Sequence, residues 1–219
     1  MFSNILSYLG HFIFTNGLFP LLMKAASDPK ADVRIITMSS NAQTAILPAN
    51  YQLDFADPNV FRGILPYVPW QWRYLLKNLF HVDMFRYGVT KLATVLHAQE
   101  LQRRLDQQGL PILSISVHPG GVLTDDVLDI FVRPMRPFVA RIMITDDEGS
   151  YTSLFAATEK QVRQHPEVYK GKYLIPFGKV APAHPLANNP AHGKALWDTT
   201  TKELNAYFER QGLETRVSI

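Results

Sequence analysis

Two short apolar runs stand out along the chain, and each is followed by a small polar turn. Val33–Met38 and Ile112–Val117 are rich in β-branched residues and lack the spacing of three and four residues that a helix requires. Such runs are typical of strands buried on both faces of a parallel sheet. Between them, Phe85–Gln107 has apolar residues at helical spacing and precedes Gly109 and Pro111, which predicts a long helix that ends there.

Weaker patterns predict the elements that follow the second strand. Asp125–Thr145 is an amphipathic stretch, and Asp146–Gln164 and His192–Arg210 have helical spacing. Lys172–Pro176 is typical of a third short strand. Strands that alternate with helices predict an α/β fold with a parallel sheet, in one domain that spans residues 1–219.

The first 23 residues form the longest uncharged stretch of the sequence. No Lys, Arg, Asp or Glu precedes Lys24, but polar residues interrupt the apolar run. A signal peptide or signal anchor carries positive charge ahead of its apolar segment, and this stretch has none. We therefore predict a buried helix over Met1–Met23 rather than a membrane segment.

Residues 42–83 do not fit the alternation of strands and helices. The segment contains Pro48, Pro58, Pro66 and Pro69 and is rich in aromatic residues. Long irregular segments of compact domains are commonly lids or binding loops. We predict an insertion or lid here, with ordinary packing over the sheet as the alternative.

Composition favours a globular domain and argues against several kinds of site. With 219 residues, of which 47% are hydrophobic and 19% charged, the chain can bury a sizeable core. The absence of cysteine excludes disulfides and thiol chemistry and fits a cytoplasmic location. The seven histidines lack the spacing of metal ligands, so we predict no metal site. A net charge of +3 gives no reason to expect nucleic acid or a membrane as partner.

Tyr87 and Lys91 are the strongest candidates for chemistry. Their spacing of four residues places both side chains on one face of the predicted helix. A free tyrosine, with a pKa of about 10, is a poor base at neutral pH, but an adjacent ammonium favours the phenolate. The pair could therefore take or give a proton. Ser40 ends the preceding strand, at the sheet edge where α/β proteins bind ligands.

Several segments match, in order, the pattern of a known family. They are LGHFIFT (9–15), RIITMSS (34–40), YGVTKLA (87–93), LQRRL (101–105), SVHPGGVLTD (116–125), DEGSYTSLFAAT (147–158) and GKYLIP (171–176). Together they resemble the short-chain dehydrogenase/reductase family, most of all its retinol dehydrogenase-like branch. The resemblance implies a Rossmann-like fold, a parallel sheet with flanking helices.

The resemblance implies a role for each catalytic candidate. Tyr87 would be the general acid or base, and Ser40 would hydrogen-bond the substrate carbonyl or hydroxyl. Lys91 would hold the nicotinamide ribose while lowering the tyrosine pKa. Counting back along the family pattern favours Ser40 over its neighbour Ser39.

The resemblance also implies a nicotinamide cofactor, NADP in this branch, with NAD as the alternative. Besides Tyr87 and Lys91, its contacts would come from a turn that contains Pro119, Gly120, Val122 and Thr124. Hydride would pass between the cofactor and a carbonyl or secondary alcohol. The aromatic insertion suggests a small hydrophobic substrate, as in the retinol dehydrogenase-like branch or in secondary metabolism.

Two departures from the family pattern matter. The asparagine of the family's catalytic tetrad corresponds to Ser7, and Asn4, one helical turn earlier, is the candidate replacement. The glycine-rich turn that receives the cofactor pyrophosphate, G-x-x-x-G-x-G or G-x-G-x-x-G, occurs nowhere in the sequence. We therefore expect an incomplete domain that lacks the N-terminal glycine-rich βαβ part, with the strand at Val33 as an unpaired edge.

The sequence leaves three functions open. The first is an oxidoreductase, which the intact Ser40, Tyr87 and Lys91 favour. The second is a noncatalytic binding or stabilising protein that keeps the family's interface helices, and the third is redox-neutral dehydration or isomerisation at the same site. The two interface helices, at residues 9–23 and 85–107, predict a homodimer.

Overall fold

A computed structural model describes the backbone of residues 3–213 and the side chains of residues 8–213. The strands are β1 Val33–Met38, β2 Ile112–Val117, β3 Tyr173–Ile175 and β4 Lys179–Ala181. The helices are α1 Ser3–Ala26, α2 Ala42–Ala45, α3 Met84–Gln107, α4 Asp125–Ile130, α5 Arg136–Ile142, α6 Asp146–Thr158, α7 Lys160–Gln164, α8 Pro166–Tyr169 and α9 Pro190–Arg210.

The strands form one sheet in the order β1-β2-β3-β4. β1 pairs with β2, and β2 with β3, in parallel, whereas β4 runs antiparallel to β3. The predicted α/β fold is confirmed, and β4, which the sequence does not predict, adds an antiparallel strand to the otherwise parallel sheet. Gly178 has a φ of 76°, which lets the chain turn back directly after β3. In the described part of the chain β1 is an edge strand, as the sequence predicts.

Helix α3 lies at the centre of the fold. It packs against β2 on one side and α9 on the other, with α1 alongside. An aromatic cluster joins the three helices, with ring centroids 4.8 Å apart for Phe12 and Trp197 and 5.4 Å apart for His97 and Trp197. This packing fixes the position of the helix that carries Tyr87 and Lys91.

The helix predicted over Asp146–Gln164 is two helices, because Glu159 breaks it. The backbone of Glu159 is extended, with φ of −67° and ψ of 131°, and its carboxylate accepts the Lys160 N–H at 2.9 Å to start α7. The start of α6 is fixed by a capping box between Thr145 and Glu148.

The predicted insertion has two parts with different environments. Six large apolar side chains from its first part are buried in the core: Ile46, Leu47, Tyr51, Leu53, Phe55 and Val60. From about residue 61 onward, large aromatic side chains such as Trp70 are exposed. Ordinary packing therefore describes the first part, and only the second part projects as a lid would.

Helix α1 is buried along one face only. Phe12 and Phe19 are buried, but Phe14 and Leu21 are 67% and 64% exposed. Helix α3 exposes no large apolar side chain in the described structure, because α9 of the same chain covers it. The homodimer through residues 9–23 and 85–107 stays a prediction. Of these two helices, α1 is the one that exposes large apolar side chains.

Within the described residues, no helix has both the length and the apolar character needed to span a bilayer.

Candidate functional site

The candidate site lies at the sheet edge where β1, β2 and β3 end. The Ser39 N–H donates to the Val117 carbonyl and the His118 N–H to the Leu174 carbonyl, both at 2.7 Å. These bonds align the three carboxyl ends, so that Ser40 and the turn after His118 lie along one edge. Open α/β sheets bind their ligands at this edge.

The start of α3 places Tyr87 and Lys91. The Asp83 carboxylate accepts the Arg86 N–H at 3.0 Å and caps the helix. Tyr87 and Lys91 then occupy its first two turns, with the Lys91 Nζ 5.5 Å from the centre of the Tyr87 ring. The structure thus brings the two side chains together on one face, as their spacing predicts.

Lys91 is buried and retains donors for a ligand. Only 8% of the residue is exposed, and its Nζ donates to the Met38 carbonyl at 3.3 Å. Burial lowers the pKa of Lys91. An ammonium has three N–H donors, and within the described residues the hydrogen bond to the Met38 carbonyl uses one of them. The remaining N–H groups fit the ribose hydroxyls of a nicotinamide nucleotide.

Tyr87 is half-buried, and its surroundings favour the protonated phenol. Burial raises the pKa of Tyr87, and the nearby Ser40 hydroxyl acts in the opposite direction. The net direction is therefore opposite to the lowering by Lys91 that the resemblance implies. A phenol that keeps its proton at neutral pH is suited to donate it to a carbonyl oxygen.

The two adjacent serines differ in what they bind. Ser39 is buried, and its hydroxyl donates to the Lys91 carbonyl at 2.8 Å, which ties β1 to α3. The Ser40 hydroxyl accepts the Ala42 N–H at 3.2 Å, while its own proton has only a long contact of 3.5 Å with Asn41 Oδ1. Ser40 is thus the serine that can still bind a ligand oxygen.

The turn after β2 needs glycine at Gly120. Its φ is 107°, and a Cβ there would lie 2.6 Å from Ile144 Cδ1 and 3.3 Å from Pro176 Cγ. Pro119 and Gly120 therefore pass close to the end of β3 at the same edge as Ser40. The backbone there can approach a flat ligand ring closely, because no side chain intervenes at Gly120.

Val122 and Thr124 have local contacts of their own. Val122 pairs with Ile144 and packs against α6, where its methyl groups leave no room for a Cβ at Gly149. The Thr124 hydroxyl accepts the Val127 N–H at 3.2 Å and caps α4. Since it accepts in that bond, its proton can still be donated, and the cofactor contacts of both residues stay predictions.

A buried polar group close to Tyr87 has no signal in the sequence. Gln43 is fully buried, and its Oε1 accepts the His184 N–H at 2.7 Å. Burial raises the pKa of Tyr173 to about 12, and nearby Tyr87 acts in the same direction. The Tyr173 hydroxyl and Gln43 Nε2 are both buried without a hydrogen-bond partner among the described residues. Gln43 and His184 are 141 positions apart in the chain, so no local motif could have linked them.

Two further predictions concern the asparagine position of the catalytic tetrad and a metal site. The exchange of the tetrad asparagine for Ser7, with Asn4 as replacement, lies outside the described side chains. Among the residues that the structure describes, no group of three or more His, Cys, Asp or Glu could hold a metal ion.

Comparison with known proteins gives a consistent family name. No family model matches the chain. A short-chain dehydrogenase/reductase of Colletotrichum higginsianum is 34% identical over 197 residues, which cover 89% of this chain and 46% of that protein. One of Gibberella zeae is 35% identical over 179 residues, 80% of this chain and 48% of its own length. One of Armillaria gallica is 32% identical over 210 residues, 94% of this chain and 61% of its own length.

Among solved structures, an uncharacterised protein from Mycobacterium paratuberculosis is similar to this chain, with a TM-score of 0.49 and 24% sequence identity. The match covers 89% of this chain and 55% of the solved chain. The chain spans about half the length of the first two curated relatives. The three relatives share one family name, and the motifs that resemble that family lie together at the sheet edge. The chain therefore belongs to the short-chain dehydrogenase/reductase family.

Proposed function

We propose that this protein transfers hydride between NADP(H), or alternatively NAD(H), and a carbonyl or secondary alcohol of a small hydrophobic molecule. The observation that carries the proposal is the grouping of Ser40, Tyr87 and Lys91. The Tyr87 phenol lies close enough to Ser40 for that hydroxyl to lower its pKa, and the Lys91 ammonium lies 5.5 Å from the Tyr87 ring. Relatives that bear the family name support an oxidoreductase.

Each of the three side chains has a distinct part in reduction. Ser40 and Tyr87 donate hydrogen bonds to the substrate carbonyl oxygen and hold it in place. Tyr87 then gives its proton to that oxygen as negative charge develops there. Lys91 stabilises the phenolate that remains until solvent returns the proton. In the oxidative direction Tyr87 takes the proton from the alcohol.

The nicotinamide, when bound, supplies or accepts the hydride at the substrate carbon. Lys91 and Tyr87 would hold its ribose. Pro119 and Gly120 would lie along its ring, with Val122 and Thr124 at the carboxamide. The choice of NADP over NAD rests on resemblance to the retinol dehydrogenase-like branch.

Replacing Ser40 by Ala tests this function. Turnover of apolar ketones with NADPH and NADH should fall about 10- to 1000-fold, because one donor to the carbonyl oxygen is lost. Ser150→Ala in α6, whose hydroxyl bonds only the Asp147 carbonyl at 2.7 Å, should keep the wild-type rate. The assay uses a form of the protein that carries the family's glycine-rich N-terminal part. Equal rates for Ser40→Ala and Ser150→Ala in that form, or no turnover by it with either cofactor, would refute the proposal.

A further inference from the structure

Two segments that are far apart in sequence join on one side of the fold. Residues 59–82 and 130–145 meet where Phe80 and Phe131 form an antiparallel bridge, with ring centroids 5.2 Å apart. Backbone hydrogen bonds of 2.8 and 3.2 Å flank this bridge, and Trp72 packs on Phe80 at 6.1 Å. We call these two segments the cap.

The net positive charge of the cap is larger than that of the chain as a whole, which is +3. Six of the 22 Lys and Arg residues lie in it and none of the 19 Asp and Glu: Arg62, Arg73, Lys77, Arg133, Arg136 and Arg141. The rest of the chain, with 16 basic and 19 acidic residues, is net negative. Of the six, Arg136 is the one with an ion pair among the described residues, at 2.8 Å from Asp129. Within these bounds the cap is positive, and Asp57, Asp83, Asp129 and Asp146 lie at or near its ends.

The same two segments also expose large apolar side chains. Trp70, Tyr74 and Leu75 in the first segment and Phe138 and Ile142 in the second are each at least 56% exposed. Phe138 and Ile142 lie one turn apart on α5, so they share a face of that helix. Exposed apolar groups within a polar rim mark a surface that binds something.

The combination of charge and apolar groups indicates the class of partner. Nucleic acid would pair with the arginines and stack on the exposed aromatic rings, but it would gain little from Leu75 and Ile142, which offer neither stacking nor hydrogen bonds. A lipid interface uses both kinds of group, since headgroup phosphates attract Arg and Lys while Trp, Phe and Leu enter the boundary of the acyl region.

We propose that the cap docks this protein on the surface of a membrane that contains anionic phospholipids. The inference reverses the expectation drawn from the net charge, because the two segments that carry the six basic residues meet only in the fold. It needs no bilayer-spanning helix. It also rests on no part of the proposed catalytic function, since none of the cap residues named here belongs to the Ser40, Tyr87 and Lys91 group.

Sedimentation with vesicles tests the docking directly. The full chain should pellet with vesicles of phosphatidylcholine and phosphatidylserine and stay in solution with phosphatidylcholine alone. Each basic residue near such a surface contributes about fivefold to partitioning, so Arg73→Gln/Lys77→Gln should weaken binding roughly 25-fold. Lys160→Gln/Lys202→Gln, which removes two exposed charges from α7 and α9, should bind like the wild type.

Tryptophan fluorescence reports which residue meets the lipid. Of the three tryptophans, Trp70 is 56% exposed, Trp72 is half-buried against Phe80 and Trp197 is only 2% exposed. Contact of the cap with lipid therefore changes the surroundings of Trp70 most and those of Trp197 least. Emission should shift to shorter wavelength when anionic vesicles are added. The shift should shrink strongly in Trp70→Phe and persist in Trp197→Phe, provided that each variant melts cooperatively.

Three results would overturn the inference. One is equal binding to vesicles with and without phosphatidylserine, and another is an equal loss of binding in the cap and control variants. The third is binding of the cap to nucleic acid or to a second copy of the chain, detected by gel shift or sedimentation velocity, without any binding to anionic vesicles.

Discussion

Acid should destabilise this protein through His97, a buried histidine in α3. The residue is 1% exposed, its ring stacks on Trp197 at 5.4 Å, and neither ring nitrogen has a hydrogen-bond partner in the described structure. Burial lowers the pKa of His97 from 6.5 to about 3, and the charge of nearby His11 acts in the same direction. The folded protein therefore holds this imidazole neutral at any mildly acidic pH.

The sign and size of the effect follow from linkage. Below a pH of about 6.5 the unfolded chain binds a proton at His97 that the folded chain does not, so stability falls as the pH falls. The loss approaches about 1.4 kcal/mol per pH unit until the folded pKa, about 3, is reached. At a pH of about 5 the contribution of His97 is roughly 2 kcal/mol.

Urea unfolding at about pH 8 and pH 5 measures this contribution. His97→Leu removes the titrating group, so its loss of stability between the two pH values should be about 2 kcal/mol smaller than that of the wild type. Comparing each protein with itself cancels the packing change that the substitution causes. His165→Leu, at a ring that is 60% exposed, is the control and should lose stability as the wild type does. An equal pH-dependent loss in His97→Leu and the wild type would refute the reasoning.

Two further predictions concern packing and the turn after β2. Trp197→Ala should lower the free energy of unfolding by about 3–5 kcal/mol in urea, whereas Trp70→Ala, at an exposed position, should change it by less than about 1 kcal/mol. Equal effects of these two substitutions would contradict the described core. Gly120→Ala should lower the melting temperature, because φ is 107° and the new Cβ would lie 2.6 Å from Ile144. Gly121→Ala should lower the melting temperature less, because its Cβ would come no closer than 3.9 Å to its neighbours. A Gly120→Ala protein as stable as Gly121→Ala would show that this turn is not constrained.

The long, uniform elements could be predicted because their signals are local. β1 and β2 have the predicted bounds, and α3 begins one residue earlier than predicted, at the Asp83 cap. β2 is buried along its whole length, and β1 is at least half-buried except at Met38, so most of their positions are apolar or β-branched in the sequence. The positions of Ser40, Tyr87 and Lys91 follow from these elements.

Features that depend on distant residues could not be predicted. β4 has three residues with two of them exposed, which leaves no apolar pattern. The contact between Gln43 and His184 and the union of the two cap segments arise only when the chain folds. The retinol dehydrogenase-like branch, NADP use and the dimer stay predictions, since each depends on residues or partners beyond the described contacts.

The most direct test of the proton-transfer site is the rate of Tyr87→Phe. The substitution removes the hydroxyl and keeps the ring that packs against the core, so the melting temperature should stay close to that of the wild type. Reduction of an apolar ketone at saturating NADPH should fall about 10²- to 10⁴-fold. Tyr151→Phe, at a tyrosine 51% exposed on α6, should keep the wild-type rate. A Tyr87→Phe protein that reduces the ketone as fast as Tyr151→Phe would contradict the assignment of Tyr87 as the acid and base of this site.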